Sequence, residues 1–151
     1  MPCKRKTKDE YYLNIAEAVL ARSTCLRRKY GAVIVKDDEI ISTGYNGAPR
    51  GMKNCCDIGF CIREKEGIPH GIRYEMCSAV HAEMNAIISA SRLDMIGSTL
   101  YLAGFEADGT PITGIAPCSM CYRLIINAGI SSIITRNADG FVNREVVKKH
   151  E

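Results

Sequence analysis

His81-Ala82-Glu83 and Pro117-Cys118-Ser119-Met120-Cys121 are the segments of this chain whose residue types and spacing can do chemistry. One imidazole and two thiolates make three ligands of a tetrahedral Zn²⁺. A three-ligand set leaves the fourth corner open for water, which marks a catalytic rather than a structural site. Cys118 and Cys121 are three apart, so they share one face in the first turn of a helix. The positive end of that helix helps keep both sulfurs deprotonated. Pro117 tolerates the first turn because it has no N–H to leave unpaired. Zinc lowers the pKa of a bound water from about 16 towards 7. Glu83, not itself a ligand, would take that water's proton so that hydroxide can attack an electrophilic carbon, and would then return protons to the leaving group. Glu83 follows His81 by two residues, and on an ideal helix such residues point roughly 200° apart. Both serve one pocket only if the metal sits off the helix N-terminus and not beside its flank.

Taken singly, these pieces have blander readings. A lone Cys-x-x-Cys serves structural zinc knuckles and redox pairs, and His-x-Glu alone carries little information. A thioredoxin-like reading needs a different βαβ context around Cys118 and Cys121. The catalytic reading comes from the joint order, with each piece at a predicted helix start and a strand between them.

The elements that must position these groups can be read from periodicity. Thr7-x-x-Glu10 is a capping box, and Leu13, Ala16 and Leu20 continue at helical spacing to about Arg22. Residues 31–35 form a short β-branched run, Asp37-Asp38 a turn, and residues 40–45 the second strand of a hairpin. Residues 46–51 read as a loop. A helix is predicted from His81 to about Arg92, with Met84, Ile87, Ile88 and Leu93 as core positions. Residues 98–103 are strand-like. Pro117 opens a helix carrying Leu124, Ile125 and Ala128 that stops at Gly129, and residues 130–135 form a strand. A last short helix is expected near Asn143–Lys149. Strands alternating with helices indicate an α/β layered domain.

The 151 residues make one domain, with a cysteine-rich segment at about 52–77 that has no clear period. With 46% hydrophobic and 25% charged residues, disorder, collagen and coiled coil are excluded as overall descriptions. No apolar run approaches a membrane span, so no membrane partner is expected. The start, Met1-Pro2-Cys3-Lys4-Arg5-Lys6, lacks the apolar stretch of a secretory signal, and the expected location is the cytoplasm. The eight cysteines are then read as metal-binding or reactive thiols and not as a disulfide framework. Twenty basic against 17 acidic residues, no Trp and three Phe do not suit a nucleic-acid groove. The basic termini, Lys4 to Lys8 and Lys148-Lys149, read as solvated ends.

The order H-x-E…P-C-x-x-C is the signature of zinc-dependent nucleobase deaminases. With these residues the chain resembles the cytidine/deoxycytidylate deaminase superfamily from about Ser23 to Thr135. Arg22-Ser23-Thr24-Cys25 and Thr43-Gly44-Tyr45-Asn46-Gly47-Ala48-Pro49-Arg50-Gly51 are similar to its deoxycytidylate branch. The resemblance implies a three-layer α/β/α fold with a mixed five-stranded sheet and a homo-oligomer, commonly a hexamer. It implies hydrolysis of dCMP to dUMP for thymidylate synthesis, zinc on His81, Cys118 and Cys121, and Glu83 as proton shuttle. Asn46, with Gly47, matches the family position that contacts the nucleotide near its sugar. Gly44, Tyr45, Arg50 and Gly51 belong to the segment tied to dCTP activation and dTTP inhibition. Arg27 and Arg28 are phosphate candidates on chemical grounds alone.

Some members of this branch carry a second, structural zinc, and Cys25 and Cys55 match its ligands by position. With Cys61 and Cys77 they would make a closed four-thiolate site, which would order the segment without a hydrophobic core. His70 is also available there, whereas Cys3 and Cys56 read as non-ligands. Residues 105–114 are an insert relative to the family, and Asp108-Gly109 predicts a hairpin-like excursion near the pocket rim. Family residues beyond Thr135 that line the base pocket have no match. Two rival functions follow: deamination of another cytosine nucleoside, nucleotide or a base in nucleic acid, and a non-catalytic zinc scaffold that binds nucleotides.

Overall fold

The computed structural model describes residues 2–148. Helix α1 (Lys8–Leu20) opens with the capping box that the sequence predicts. Thr7 Oγ1 accepts from the Glu10 N–H at 3.1 Å, and Glu10 Oε2 accepts from the Thr7 N–H at 2.9 Å. Strand β1 (Arg28–Lys36) turns through Asp37 and Asp38, both left-handed, into β2 (Glu39–Tyr45). Helices α2 (Cys55–Ile58) and α3 (Ile62–Lys65) and a 3₁₀ turn at Tyr74–Met76 lie in the cysteine-rich segment. Then come α4 (Ala82–Ile88), α5 (Arg92–Met95), β3 (Thr99–Glu106), α6 (Ser119–Ala128), β4 (Ser132–Arg136) and β5 (Val142–Val146).

The five strands form one sheet in the order β2-β1-β3-β4-β5, in which β3 and β4 are parallel and the other neighbours antiparallel. This is the mixed sheet that the resemblance implies. Side-chain alternation divides the core in two. Ala32, Ile34, Leu100, Leu102 and Ile133 pack with Ala82, Ala86, Met95, Ile125 and Ala128 of the helices α4, α5 and α6. Val33, Val35, Tyr101 and Ile134 face α1 through Leu13, Ala16 and Leu20. The result is three layers, with α1 alone on one side.

Two glycines set how closely the helices approach the sheet. A Cβ on Gly31 would lie 2.1 Å from the Ala16 carbonyl oxygen of α1. One on Gly44 would lie 2.3 Å from the Ala82 carbonyl oxygen of α4. Both obstacles are backbone, so only glycine fits.

The structure corrects two expected core positions, Ile88 and Leu93. The sheet-facing side of α4 carries Ala82 and Ala86, while Ile88 is 70% exposed. Of the other expected core positions on this helix, Ile87 packs partly buried against the core and Met84 is half-buried. The helix ends at Ile88, and Ser91 caps the separate helix α5, which leaves Leu93 77% exposed. Leu124 is also exposed, because Cys121, Ile125 and Ala128 make the buried stripe of α6.

The helix expected near Asn143–Lys149 is strand β5. A turn closed by the Asn137 N–H to the Phe141 carbonyl reverses the chain beside β4. There the open edge of β4 offers a ready ladder, whereas a helix this short is marginal alone. Lys149 lies outside the described residues. The 105–114 insert is hairpin-like as expected, with Phe105 bridged to Pro111 and Gly109 left-handed at the tip. No helix of the described residues is long and apolar enough to cross a membrane.

Candidate active site

His81 is the N-cap of α4, with φ −68° and ψ 154°, so its side chain leaves the helical repeat. A bridge between Gly47 and Val80 fixes the chain just before it, through N–H···O contacts of 3.2 and 2.7 Å. Cys118 is the N-cap of α6, and Cys121 is the third helical residue. Pro117 therefore precedes the cap, and the helix starts at Ser119 instead of at the proline. The Cys118 sulfur accepts from the Cys121 N–H at 3.4 Å, which caps the helix and aims the thiol inward.

His81 Nδ1 lies 3.5 Å from Cys118 Sγ and 3.3 Å from Cys121 Sγ. Among the described residues this trio is the one His/Cys/Asp/Glu group whose ligand atoms all lie within 4.8 Å of one another. Zinc bonds of about 2.3 Å to sulfur and 2.0–2.1 Å to nitrogen, at tetrahedral angles, require S···N separations of about 3.5 Å. The trio fits zinc by both donor chemistry and spacing.

Electrostatics agree with that fit. The S–H of Cys121 bonded to Cys118 draws the Cys118 thiol down to about 3, and His81 adds to the effect. The same bond, with burial, pushes Cys121 far up. The bond to Cys118 also raises the His81 imidazole. One negative charge is thus held unevenly by two sulfurs, and a divalent cation among the three groups stabilises both as thiolates.

Glu83 sits in the first turn of α4 and is 5% exposed. Burial pushes its carboxyl above the usual carboxylate range, against the opposing pull of its backbone bond and of Cys121. Glu83 and His81 line the same cavity of about 390 Å³. The geometric requirement set by their spacing is met, because the cap residue and the first-turn residue both look off the end of α4.

The structure brings Asn46, Arg27 and Arg28 to this cavity. Asn46 is 7% exposed, and most of its amide is already used. Its Oδ1 accepts from the Tyr30 N–H at 2.9 Å and from the Ser23 hydroxyl, while Nδ2 donates to the Arg28 carbonyl at 2.9 Å. Arg27 pairs with Glu64 at 3.1 Å, and Arg28 with Glu106 at 3.1 Å. The other loop candidates lie outside the cavity. The N–H and C=O of Gly47 are both bonded to Val80, Gly44 is the packing glycine under α4, and the Tyr45 carbonyl accepts from Asn85 Nδ2. Arg50 and Gly51 are exposed.

Cys25, Cys61 and Cys77 line the same cavity. Cys55 lies near enough that their charges, after burial, raise its thiol pKa. No three of these four sulfurs lie mutually within 4.8 Å. Cys3 and Cys56 are exposed, as non-ligands should be.

Sequence reasoning missed Arg63, Tyr74 and Tyr30, and the wall made by Ile112 and Ile115. The first two sit in the aperiodic segment, where no periodicity could place them. Ile112 and Ile115 come from the return of the insert, which the sequence places near the pocket rim without naming the residues that line it.

A family model for the cytidine and deoxycytidylate deaminase zinc-binding region matches residues 6–136. The deoxycytidylate deaminase of Mycobacterium phage D29 is 40% identical over 131 residues, covering 83% of this chain and 91% of that protein. That of Saccharomyces cerevisiae is 35% identical over 135 residues, 88% of this chain but 38% of the yeast protein. Among solved structures, the dCMP deaminase of cyanophage S-TIM5 in complex with dCMP and dUMP superposes with a TM-score of 0.61 at 26% identity. That superposition covers 88% of this chain and 85% of the phage chain. The match runs through both helix caps and the sheet that separates them, and on that ground the chain belongs to the cytidine and deoxycytidylate deaminase family.

Proposed function

We propose that this chain hydrolyses dCMP to dUMP and ammonia, and so supplies dUMP for thymidylate synthesis. The observation that carries the reading is a buried carboxyl, Glu83, that shares one cavity with a three-donor metal set and with Arg27 and Arg28. A scaffold has no use for a non-ligating acid there.

His81, Cys118 and Cys121 would hold zinc, which when bound would make a water acidic enough to ionise near neutral pH. Glu83 accepts a proton from the attacking water and passes protons to the ring nitrogen and to the leaving amine. The C4–O bond forms and the C4–N bond breaks, so that water and dCMP become dUMP and ammonia. Burial raises the Glu83 carboxyl above its ordinary value, which favours its holding a proton between the two transfers. Ile112 and Ile115 exclude water from the base, and Asn46 braces the start of β1 beside it.

The same reading includes a structural zinc on Cys25, Cys55, Cys61 and Cys77, whose binding would have to draw these sulfurs closer together than they lie here. It is supported by their shared neighbourhood and by the Arg27 N–H donating to Cys25 Sγ at 3.5 Å, the same backbone-to-sulfur bond seen at Cys118. A homo-oligomer is supported by Ile88 and Leu93 projecting into solvent on α4 and α5. Exposed Arg50 is the group in the 44–51 segment suited to a dCTP or dTTP effector. The functional test is turnover of dCMP, deoxycytidine and a cytosine oligonucleotide by the zinc-loaded protein. dCMP must be preferred, and equal use of deoxycytidine or preference for the oligonucleotide would overturn the assignment.

A further inference from the structure

Arg63 is the least compensated charge near the cavity. It is 6% exposed and lines the cavity wall. Its Nη2 donates to the Pro69 and Ile72 carbonyls, each at 2.8 Å, which fixes the guanidinium in place. Its Nε is buried without a partner. Arg27 and Arg28 have glutamate partners, whereas among the described residues no carboxylate lies within 4.0 Å of Arg63. Burying a guanidinium with no counter-charge is costly. An anion entering the cavity offsets that cost.

The position suits one particular anion. The Arg63 guanidinium carbon stacks over the Tyr74 ring at 4.7 Å from its centroid. The Tyr74 ring meets the His81 imidazole edge-on, with centroids 5.8 Å apart. Arg63 therefore stands one aromatic ring away from the metal trio, in a cavity that Arg27, Arg28 and His70 also line. His70 Nε2 is 3.4 Å from Arg28 Nη1, and burial and the three arginines lower the His70 pKa. Three guanidinium groups thus gather around His70 in the same cavity that Glu83, His81 and Cys118 line.

We propose that Arg63, held over Tyr74 by the cysteine-rich segment, binds the 5′-phosphate of the nucleotide and makes the enzyme select a monophosphate over a nucleoside. The inference rests on the assignment of the chain as a dCMP deaminase. It adds that residues 52–77 form part of the substrate site as well as a scaffold for metal. Arg63 needs no rearrangement to do this, because its carbonyl partners already hold it and charge-assisted phosphate bonds reward a fixed guanidinium.

The test compares kcat/KM for dCMP and deoxycytidine in the wild type and in Arg63→Gln. The ratio of the two is expected to fall by about 10- to 100-fold in the variant, mostly through KM for dCMP. An equal loss for both substrates, or no change in the ratio, overturns the proposal. A wild type that turns over neither substrate refutes the deaminase assignment itself, so the two failures are distinct. Because Arg63 also tethers Pro69 and Ile72, a second measurement uses the unmodified zinc-loaded protein. The Arg63 guanidinium N–H resonance should shift with dUMP and stay in place with deoxyuridine. A shift that is the same with both, or absent with both, refutes phosphate recognition by this residue.

Discussion

His81 and Glu83 are two residues apart, yet both side chains enter one cavity, because His81 has extended cap backbone at φ −68° and ψ 154° while Glu83 is already helical. The imidazole turns its Nδ1 to within 3.3 Å of Cys121 Sγ. The carboxyl is left beside the metal position without entering the ligand set.

That division of labour predicts the behaviour of Glu83→Gln. The variant should keep its zinc, because no ligand is lost. Its kcat for dCMP should fall by about 10²–10⁴-fold, the usual contribution of a positioned acid–base group. Zinc content by atomic emission and steady-state kinetics on one preparation check this, and near-normal turnover would remove Glu83 from the mechanism.

Metal stoichiometry separates the two cysteine groups. Wild-type protein should hold two zinc ions per chain. Cys118→Ala should lose one zinc and all activity, with the fold retained by circular dichroism. Cys61→Ala should also lose one zinc but lower the melting temperature, because Cys61 sits at the cap of α3 in a segment that has little core of its own. Two zinc ions retained in both Cys61→Ala and Cys77→Ala would eliminate the second site.

Gly44→Ala tests the seating of α4. The added methyl would meet the Ala82 carbonyl oxygen at 2.3 Å and the Ala86 nitrogen at 2.4 Å. Neither can move without displacing the helix that carries His81 and Glu83. The substitution should cost about 1–3 kcal/mol in urea unfolding and lower activity by more than its loss of folded protein explains. An unchanged denaturation midpoint would show that α4 is free to shift.

Asn46→Ala should act on the framework first. It strips partners from the Tyr30 N–H and the Arg28 carbonyl, which are part-buried, at about 1–3 kcal/mol. A smaller loss of stability, accompanied by a large rise in KM for dCMP, would instead place its amide chiefly on the nucleotide.

The turn after β1 sets an acid-sensitive contact away from the site. Asp38 accepts from Lys8 Nζ at 2.7 Å and from the Tyr12 hydroxyl, and these bonds hold its carboxyl below its ordinary value of 3.8. The folded form thus binds a proton less readily than the unfolded chain. The contact stabilises above the unfolded value and is lost as pH falls through the lower folded value. Asp38→Asn keeps a residue suited to the left-handed backbone there, φ 62°. Its melting temperature should lie below that of the wild type at pH 7, and the gap should close below about pH 4. A constant gap would mean that the carboxylate charge contributes nothing.

The chemistry of this protein is legible in its sequence because it resides in residue types at short, rigid spacings. Cys118 and Cys121 must share a helical turn wherever that turn lies, and the capping box at Thr7 and the β-branched run at residues 31–35 are equally local. The insert was readable for the same reason, through its Asp108-Gly109 tip. What the tertiary structure alone decided is non-local. The last segment became β5 because β4 presented an open edge to it, and Ile88 faced outward because Gly44 brings the Ala82 and Ala86 side of α4 against the sheet. Arg63 and Tyr74 lie in a stretch without period, so no local pattern foretells that the guanidinium stacks on the ring or that the ring meets His81. Spacing along a sequence determines which groups can act together within one turn of backbone. Which distant groups meet them is settled only when the layers pack.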